Sequence, residues 1–240
     1  MDYNQQDYNN DSLIDAEYRV VDQQYVAKYI TKVYGWMFLA LAITAAVAFF
    51  TVSSTAMLTL LLSNPLIYFG LFLGQVLMVG YLSLRVHKMS VGTATFVFLA
   101  YAVLTGVIFS VVLLRYSSAT LISAFGTTAV TFGVMSLIGY FTKKDLTSFG
   151  RIMLMALVGV IIASIVNIFL GSSMLHWIIS YVGVAVFVGL IAYDTQKIKA
   201  LALLDSAEAR QKGAIMGALT LYLDFINLFL MLLRIFGRRD

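Results

Sequence analysis

The stretch Gly217–Gly237, GALTLYLDFINLFLMLLRIFG, determines how the rest of the chain is interpreted. It is almost entirely apolar and long enough to cross a bilayer, yet Asp224 lies close to its middle. A charge at the centre of a membrane helix costs about 2.5–3.5 kcal/mol on insertion scales, so such an acid normally faces protein or water. Asn227 follows on the same helical face, and Tyr222 and Tyr193 are further polar residues that could support the acid. The stretch therefore predicts a membrane helix whose acid has a partner elsewhere in the chain.

The composition is that of a membrane protein. Of the 240 residues, 61% are hydrophobic and 12% are charged, whereas soluble domains carry about 25% charged residues. Only helices and closed barrels span lipid, and continuous apolar runs favour helices over strands. We therefore expect an all-α polytopic membrane protein with seven transmembrane helices. The apolar segments are approximately 33–52, 65–84, 90–114, 119–141, 152–170, 174–192 and 217–237.

The N-terminal residues 1–32 differ from the rest because they are polar and rich in acids. We expect a disordered or weakly helical tail here, followed by a seven-helix membrane domain at 33–240. No basic region leads into a short apolar core, so we expect no cleavable signal peptide. The absence of cysteine excludes disulfides and thiol chemistry.

The distribution of Lys and Arg predicts the orientation, because cytoplasmic loops carry an excess of both. With the N-terminus inside, 12 of the 16 Lys and Arg fall on the inner side, and the net charge of +4 reflects topology. Arg115 falls outside. Arg234, Arg238 and Arg239 fall outside if the last segment spans, and inside if it is re-entrant. We expect seven spans and a cytoplasmic N-terminus.

Asp194, in the stretch 189–199, GLIAYDTQKIK, is the second unusual acid. It could pair with Lys197 at the membrane interface, or it could meet Asp224. Two carboxylates that share a site cannot both ionise cheaply, so the pair would share a proton and titrate together. The depths conflict, however, because Asp224 lies mid-membrane and Asp194 lies near the inner edge. Arg85, which ends the second segment, is either an interfacial anchor or a counter-ion of the acids.

Two motifs carry a family resemblance, YDTQKIK at 193–199 and LYLDFINLFLMLLRIFG at 221–237. With KVYGWM at 32–37, they resemble the Bax inhibitor-1 (transmembrane Bax inhibitor motif) family, in its bacterial inner-membrane branch. The resemblance implies six helices around a central C-terminal helix, in a multi-pass protein of a bacterial inner membrane. It implies that Asp194 and Asp224 form a di-aspartyl pH sensor, latched by Arg85.

The activity that the resemblance implies is a pH-regulated calcium leak, with calcium as a permeant ion that passes Asp194 and Asp224. Members that handle calcium can carry an acid in the second helix, where this chain has Gln75. An amide offers a carbonyl oxygen to a hard cation but brings no charge. The expected partner is the lipid bilayer, and no nucleic acid is expected. The sequence leaves the oligomeric state open and favours a monomer.

Two other functions remain open. The chain could be a membrane modulator that transports nothing, bound through its acidic tail to a membrane protease or quality-control complex. It could also be an intramembrane aspartyl protease, since Tyr193-Asp194 and Asp224 lie on consecutive helices. Such proteases need a flexible Gly-x-Gly-Asp at the second acid, whereas Asp224 follows Leu221-Tyr222-Leu223. We therefore expect no enzyme.

Overall fold

The computed structural model describes residues 3–237, with side chains from Gln23 onward. Within these residues the chain is entirely helical apart from its short connections, and contains eight α-helices. Their bounds are α1 Tyr3–Ser53, α2 Thr55–Ser63, α3 Pro65–Arg85, α4 Val91–Arg115, α5 Ser118–Phe141, α6 Thr147–Leu170, α7 Ser173–Leu201 and α8 Ala207–Phe236. A single 3-10 turn, Val86–Lys88, follows α3.

Seven of these helices are long and apolar enough to cross a membrane, as the sequence predicts. The remaining helix, α2, has 9 residues and is too short to span. The last helix runs without a break from Ala207 to Phe236, which fits a full crossing and not a re-entrant segment. An odd number of spans places the two ends of the membrane domain on opposite sides.

Local signals in the sequence fix where the helices begin. Asn64 Oδ1 accepts a hydrogen bond from Leu66 N at 3.1 Å, and Pro65 occupies the first helical position of α3. Serine side chains cap the N-termini of four further spans, namely Ser90, Ser117, Ser172 and Ser206. Gly171 ends α6 in the left-handed conformation at φ 58°, which glycine adopts without steric cost.

The first helix extends further toward the N-terminus than predicted. It begins at Tyr3, so a helix occupies most of the segment in which we expected disorder or weak helicity. Tyr29 and Ile30 are buried, and the Tyr29 hydroxyl donates a hydrogen bond to Arg210 O at 3.1 Å. No structural break occurs near residue 33, because α1 already packs on α8 before that point.

The last helix is the most buried of the spans. In its most apolar stretch 72% of residues are buried, against 6% in α3 and in α6. It packs against α1, α4, α5 and α7, while α3 packs mainly on α4 and α6 on α7. The close neighbours of α8 are thus four helices, fewer than the ring of six that the resemblance implies.

Small residues allow close helix contacts at Gly213 and Gly217, one of two Gly-xxx-Gly pairs in the chain. Gly213 lies against Tyr29 and Leu201, and a Cβ atom on Gly217 would approach Ile198 Cγ1 to 3.0 Å. These contacts set the register between α7 and α8. Gly70 has no atom within 4 Å of its Cβ position, and Gly74 has only Leu104 at 3.9 Å, so the pair on α3 makes no close helix contact.

Candidate functional site

Asp194 of α7 and Asp224 of α8 meet side chain to side chain inside the bundle. Both residues are buried, with 7% and 5% of their surface exposed. Since neither carboxylate can donate, a hydrogen bond between them requires one proton. Asp224 Oδ2 is enclosed and has no hydrogen-bond partner among the described residues.

The direction of helical side chains explains how acids at different depths can touch. The register places Asp224 about two turns after Gly217 and Asp194 about one turn before Ile198. Side chains on a helix lean toward its N-terminus. Because α7 and α8 are antiparallel, the two acids lean toward each other, which resolves the conflict of depths in the sequence.

The residues that follow Asp194 tie α7 to several other elements. Thr195 Oγ1 lies 3.3 Å from the Tyr34 hydroxyl of α1. Gln196 holds the connection between α5 and α6, since its Oε1 accepts from Leu146 N and its Nε2 donates to Lys144 O, both at 2.8 Å. Asp194 therefore projects from a segment that is fixed on several sides.

Lysines further along the same segment also make specific contacts. Lys199 Nζ donates to Tyr140 O of α5 at 2.6 Å. Lys197 lies close enough to Asp194 to act on it electrostatically, but no ion pair between them is present in the described part of the chain. Its Nζ instead lies 6.0 Å from the centroid of the Tyr193 ring. The simple interfacial pairing of Asp194 with Lys197 is thus absent.

Arg85 is the one residue of the predicted trio that does not reach the acids. It is exposed at the end of α3, and the described residues give it no ion pair with Asp194 or Asp224. The 3-10 turn Val86–Lys88 begins directly after Arg85, and the buried side chain at this point is that of Val86. The predicted latch is therefore not formed in this conformation, and the anchor interpretation describes Arg85 as it is placed here.

A cavity of about 530 Å³ leads from the surface to Asp194. It lies between the end of α3, the end of α7 and the beginning of α8, and Asp224 is not among its lining residues. Charged side chains surround it. Lys212 forms an ion pair with Glu208 at 2.8 Å and donates to His87 O at 3.3 Å, which links α8 to the 3-10 turn. The cavity lets water or ions approach one acid of the pair directly.

Known proteins resemble this chain over nearly all of the residues described above. The family model described as Inhibitor of apoptosis-promoting Bax1 matches residues 26–240. The chain belongs to the Bax inhibitor-1 family. Similar relatives include the inner membrane protein YbhL of Escherichia coli, which is 48% identical over 214 residues, covering 88% of this chain and 92% of YbhL. An uncharacterised protein of Deinococcus radiodurans is 43% identical over 226 residues, covering 94% and 96%. Another, of Borreliella burgdorferi, is 42% identical over 214 residues, covering 88% and 92%.

The family match confirms the predicted resemblance and extends it toward the N-terminus. It begins at residue 26, before the predicted start at Lys32. This agrees with the packing of Tyr29 and Ile30, which makes that part of α1 integral to the bundle. The name of YbhL, an inner membrane protein, and the seven spans together identify a multi-pass membrane protein.

The predicted supporting residues of this Bax inhibitor-1 protein lie away from the acid pair. Asn227 Nδ2 donates within its own helix to Leu223 O at 2.8 Å. The Tyr193 ring packs against Gly150 of α6, which has no room for a Cβ atom. Gln75 donates from Nε2 to Thr105 Oγ1 at 2.8 Å and to the Tyr101 hydroxyl at 3.2 Å. None of these three contacts an acid.

Gln75 instead belongs to a buried polar network that the sequence reasoning missed. The Tyr222 hydroxyl lies 2.7 Å from Thr44 Oγ1 and also contacts Thr105, which in turn accepts from Gln75. Thr44 donates to Ala102 O at 3.0 Å. Hydroxyl side chains within apolar spans were the available signal, because such groups require partners in lipid. The network joins α1, α3, α4 and α8.

The acids do not form a metal-binding cluster. No group of three or more His, Cys, Asp or Glu side chains comes together in the part of the chain that is described. Calcium takes six to eight oxygen ligands in its protein sites. Two carboxyl groups with one shared proton can attract a passing cation, but they do not make a resident site.

Proposed function

We propose that this protein is a pH-sensitive cation leak, with calcium as the favoured ion, gated by the Asp194–Asp224 pair. The observation that carries the proposal is the contact of two buried carboxyl groups at the end of a cavity that reaches one of them. Membership of the Bax inhibitor-1 family supports it. Calcium is the cargo in this proposal and not a resident ion, because a low-flux path needs weak, transient oxygen ligands and no permanent cage.

The physical basis of the gate is mutual repulsion. While the pair holds one proton, the carboxyl groups attract each other and join α7 to α8. When the proton leaves, two negative charges face each other in a buried site. Two unit charges at 4 Å repel by about 4 kcal/mol at an effective dielectric constant of about 20. That is sufficient to change the balance between a closed and an open packing of α8 by more than a hundredfold.

We infer the side of the membrane that controls the gate from the position of the cavity and from the charges around it. Lys197, Lys212 and Lys88 lie at the end of the bundle where the cavity opens, and an excess of Lys and Arg favours the cytoplasm. With the N-terminus in the cytoplasm, the pair responds to cytoplasmic pH. Deprotonation opens the contact between α7 and α8, and the negative pair then attracts cations toward the membrane interior.

Calcium flux in proteoliposomes tests the proposal. Purified protein is reconstituted, and uptake is followed with an enclosed calcium indicator between about pH 5 and pH 8. Asp194→Asn and Asp224→Asn are compared with Asp205→Asn, an exposed acid in the connection before α8. We expect wild-type flux to change by at most about tenfold per pH unit, as for a gate released by one proton. The first two variants lose this pH dependence and the third keeps it.

The result that overturns the proposal is the absence of calcium flux through folded wild-type protein at every pH. If a pH-dependent flux persists in both Asp194→Asn and Asp224→Asn, the protein is a leak but the acid pair is not its gate. Without flux, the membrane-modulator hypothesis becomes the leading one. It is then tested by crosslinking to membrane proteases in cells.

A further inference from the structure

The opposite end of the bundle carries a second site that the acid pair does not explain. Two neighbouring cavities, of about 690 and 360 Å³, lie where α4 ends, α7 begins and α8 ends. Arg234 and Ser173 line both of them, and Arg115 and Trp177 line the larger. These arginines are also the ones that an orientation with excess positive charge in the cytoplasm leaves on the far side.

The site is positively charged and lacks a carboxylate in the described residues. Among residues 23–237, no Asp or Glu lines either cavity. The acids that the structure places among residues 23–237 are Asp145, Asp194, Asp205, Glu208 and Asp224, which belong to the acid pair or to the end where α8 begins. Arg234 is half-buried, and within residues 23–237 its guanidinium makes a single weak hydrogen bond, from Nη1 to Met231 Sδ at 4.0 Å. Its guanidinium thus retains most of its donors for a ligand.

The first turn of α7 adds donors to the same site. Ser172 caps the helix, and Ser173, which lines both cavities, is its first residue. The free N–H groups at a helix start and the helix dipole favour an anion. A guanidinium from the end of one helix and the start of another therefore face the same space, which is the arrangement that binds planar or tetrahedral oxyanions.

The depth of the site points to the chemistry of the ligand. Trp177 lines the larger cavity and stacks on Tyr181 with ring centroids 5.8 Å apart. Trp and Tyr concentrate at the membrane–water interface, at the level of the headgroups. Phosphate is the oxyanion that a bilayer presents at this level. A cavity of about 690 Å³ is also large enough for a headgroup with its glycerol.

We propose that Arg234, Arg115 and the N-terminus of α7 form a binding site for a phosphate group, which the fold presents at the membrane interface. The source is either the phosphodiester of an anionic phospholipid or free phosphate from the aqueous side. Arg234 supplies the half-buried contact and Arg115 the exposed one. The site is independent of the proposed leak.

Binding to the purified full-length protein tests this site. Delipidated protein in neutral detergent is titrated with phosphatidylglycerol, phosphatidylcholine or inorganic phosphate, and binding is followed by the rise in unfolding temperature and by native mass spectrometry. We expect phosphatidylglycerol or phosphate to stabilise the wild type and phosphatidylcholine to have a smaller effect. Stabilisation by phosphatidylglycerol identifies a lipid site, and stabilisation by inorganic phosphate identifies a site for free phosphate.

Substitutions distinguish a built site from general charge attraction. Arg234→Gln and Arg115→Gln should each weaken binding by about tenfold or more. Arg151→Gln, an exposed arginine at the beginning of α6, should leave it unchanged. Arg115 is exposed, so its replacement tests the site even if Arg234→Gln unfolds. Equal binding of all three ligands, or equal losses in Arg115→Gln and Arg151→Gln, overturns the proposal.

Discussion

Gly139 of α5 lies directly against the backbone of Ala192 in α7, and no Cβ atom fits between them. The contact comes just before Asp194 in the chain, so it fixes the position from which this acid faces α8. A Cβ added here meets backbone, which cannot move aside as a flexible side chain can.

The first prediction concerns this contact. Gly139→Ala should push α5 from α7 and lower the free energy of unfolding by about 1–3 kcal/mol, the usual cost of overpacking. Gly133→Ala, on the same helix with no atom within 4 Å of its Cβ position, should be neutral or slightly stabilising. Thermal unfolding in detergent measures both. Equal effects of the two substitutions would contradict the contact.

The second prediction concerns Gln196, which bonds both Leu146 N and Lys144 O. Gln196→Ala should destabilise the protein by about 1 kcal/mol, since two backbone groups lose a partner. Hydrogen exchange at the Leu146 amide should accelerate. Gln196→Glu keeps the acceptor for Leu146 and loses the donor, so it should protect this amide only. Gln211→Ala, at an exposed position of α8, serves as the control.

The third prediction uses the absence of native cysteine. A Cβ on Gly217 would lie 3.0 Å from Ile198 Cγ1, so Ile198→Cys with Gly217→Cys should form a disulfide between α7 and α8. If the proposed gate opens by separating these helices, oxidation should abolish flux at all pH values and reductant should restore it. Flux that is unchanged in the fully crosslinked protein would exclude this movement. The single-cysteine variants control for oxidation itself.

The fourth prediction concerns the pKa of Asp145, which lies in the connection between α5 and α6. Hydrogen bonds from the Thr147 side chain and backbone lower the pKa of Asp145 below its ordinary value of 3.8. A lowered pKa in the folded state means that the contribution to stability is present above 3.8 and disappears as the pH falls through the lowered value. A carboxyl-carbon NMR titration measures it. Thr147→Val should move the pKa back toward 3.8, whereas Thr147→Ser should leave it low.

The sequence predicts the spans well because lipid forces every backbone group into a helix, and apolar length alone reveals them. It misses α2 because the stretch Thr55–Ser63 is apolar but too short to stand out as a span. It places the beginning of the second segment correctly at residue 65, because the signals there, Asn64 and Pro65, are local. The packing of α1 before residue 33 was not predictable from its polar composition, because it depends on a tertiary contact, the hydrogen bond from Tyr29 to Arg210 O.

The candidate site was predictable only in part. An acid in an apolar helix costs free energy unless it has a partner, so Asp224 was identifiable as a site residue without a structure. That Asp194 is the partner depends on the register of α7 and α8, which Gly217 and Ile198 set through close packing. The placement of Arg85 and Gln75 was not predictable from spacing, because it depends on the turn after α3 and on hydroxyl groups in α1 and α4.

The unequal surroundings of the two acids have a kinetic consequence. Asp194 lines the cavity, whereas Asp224 Oδ2 is enclosed. We therefore expect protons to reach Asp224 by relay through Asp194, so that the two acids exchange with bulk water in a fixed order. A rapid pH jump should produce two relaxation phases in the wild type. In the proposed gate, this order would delay the response, so a brief change of pH would have little effect and a sustained one would change the flux.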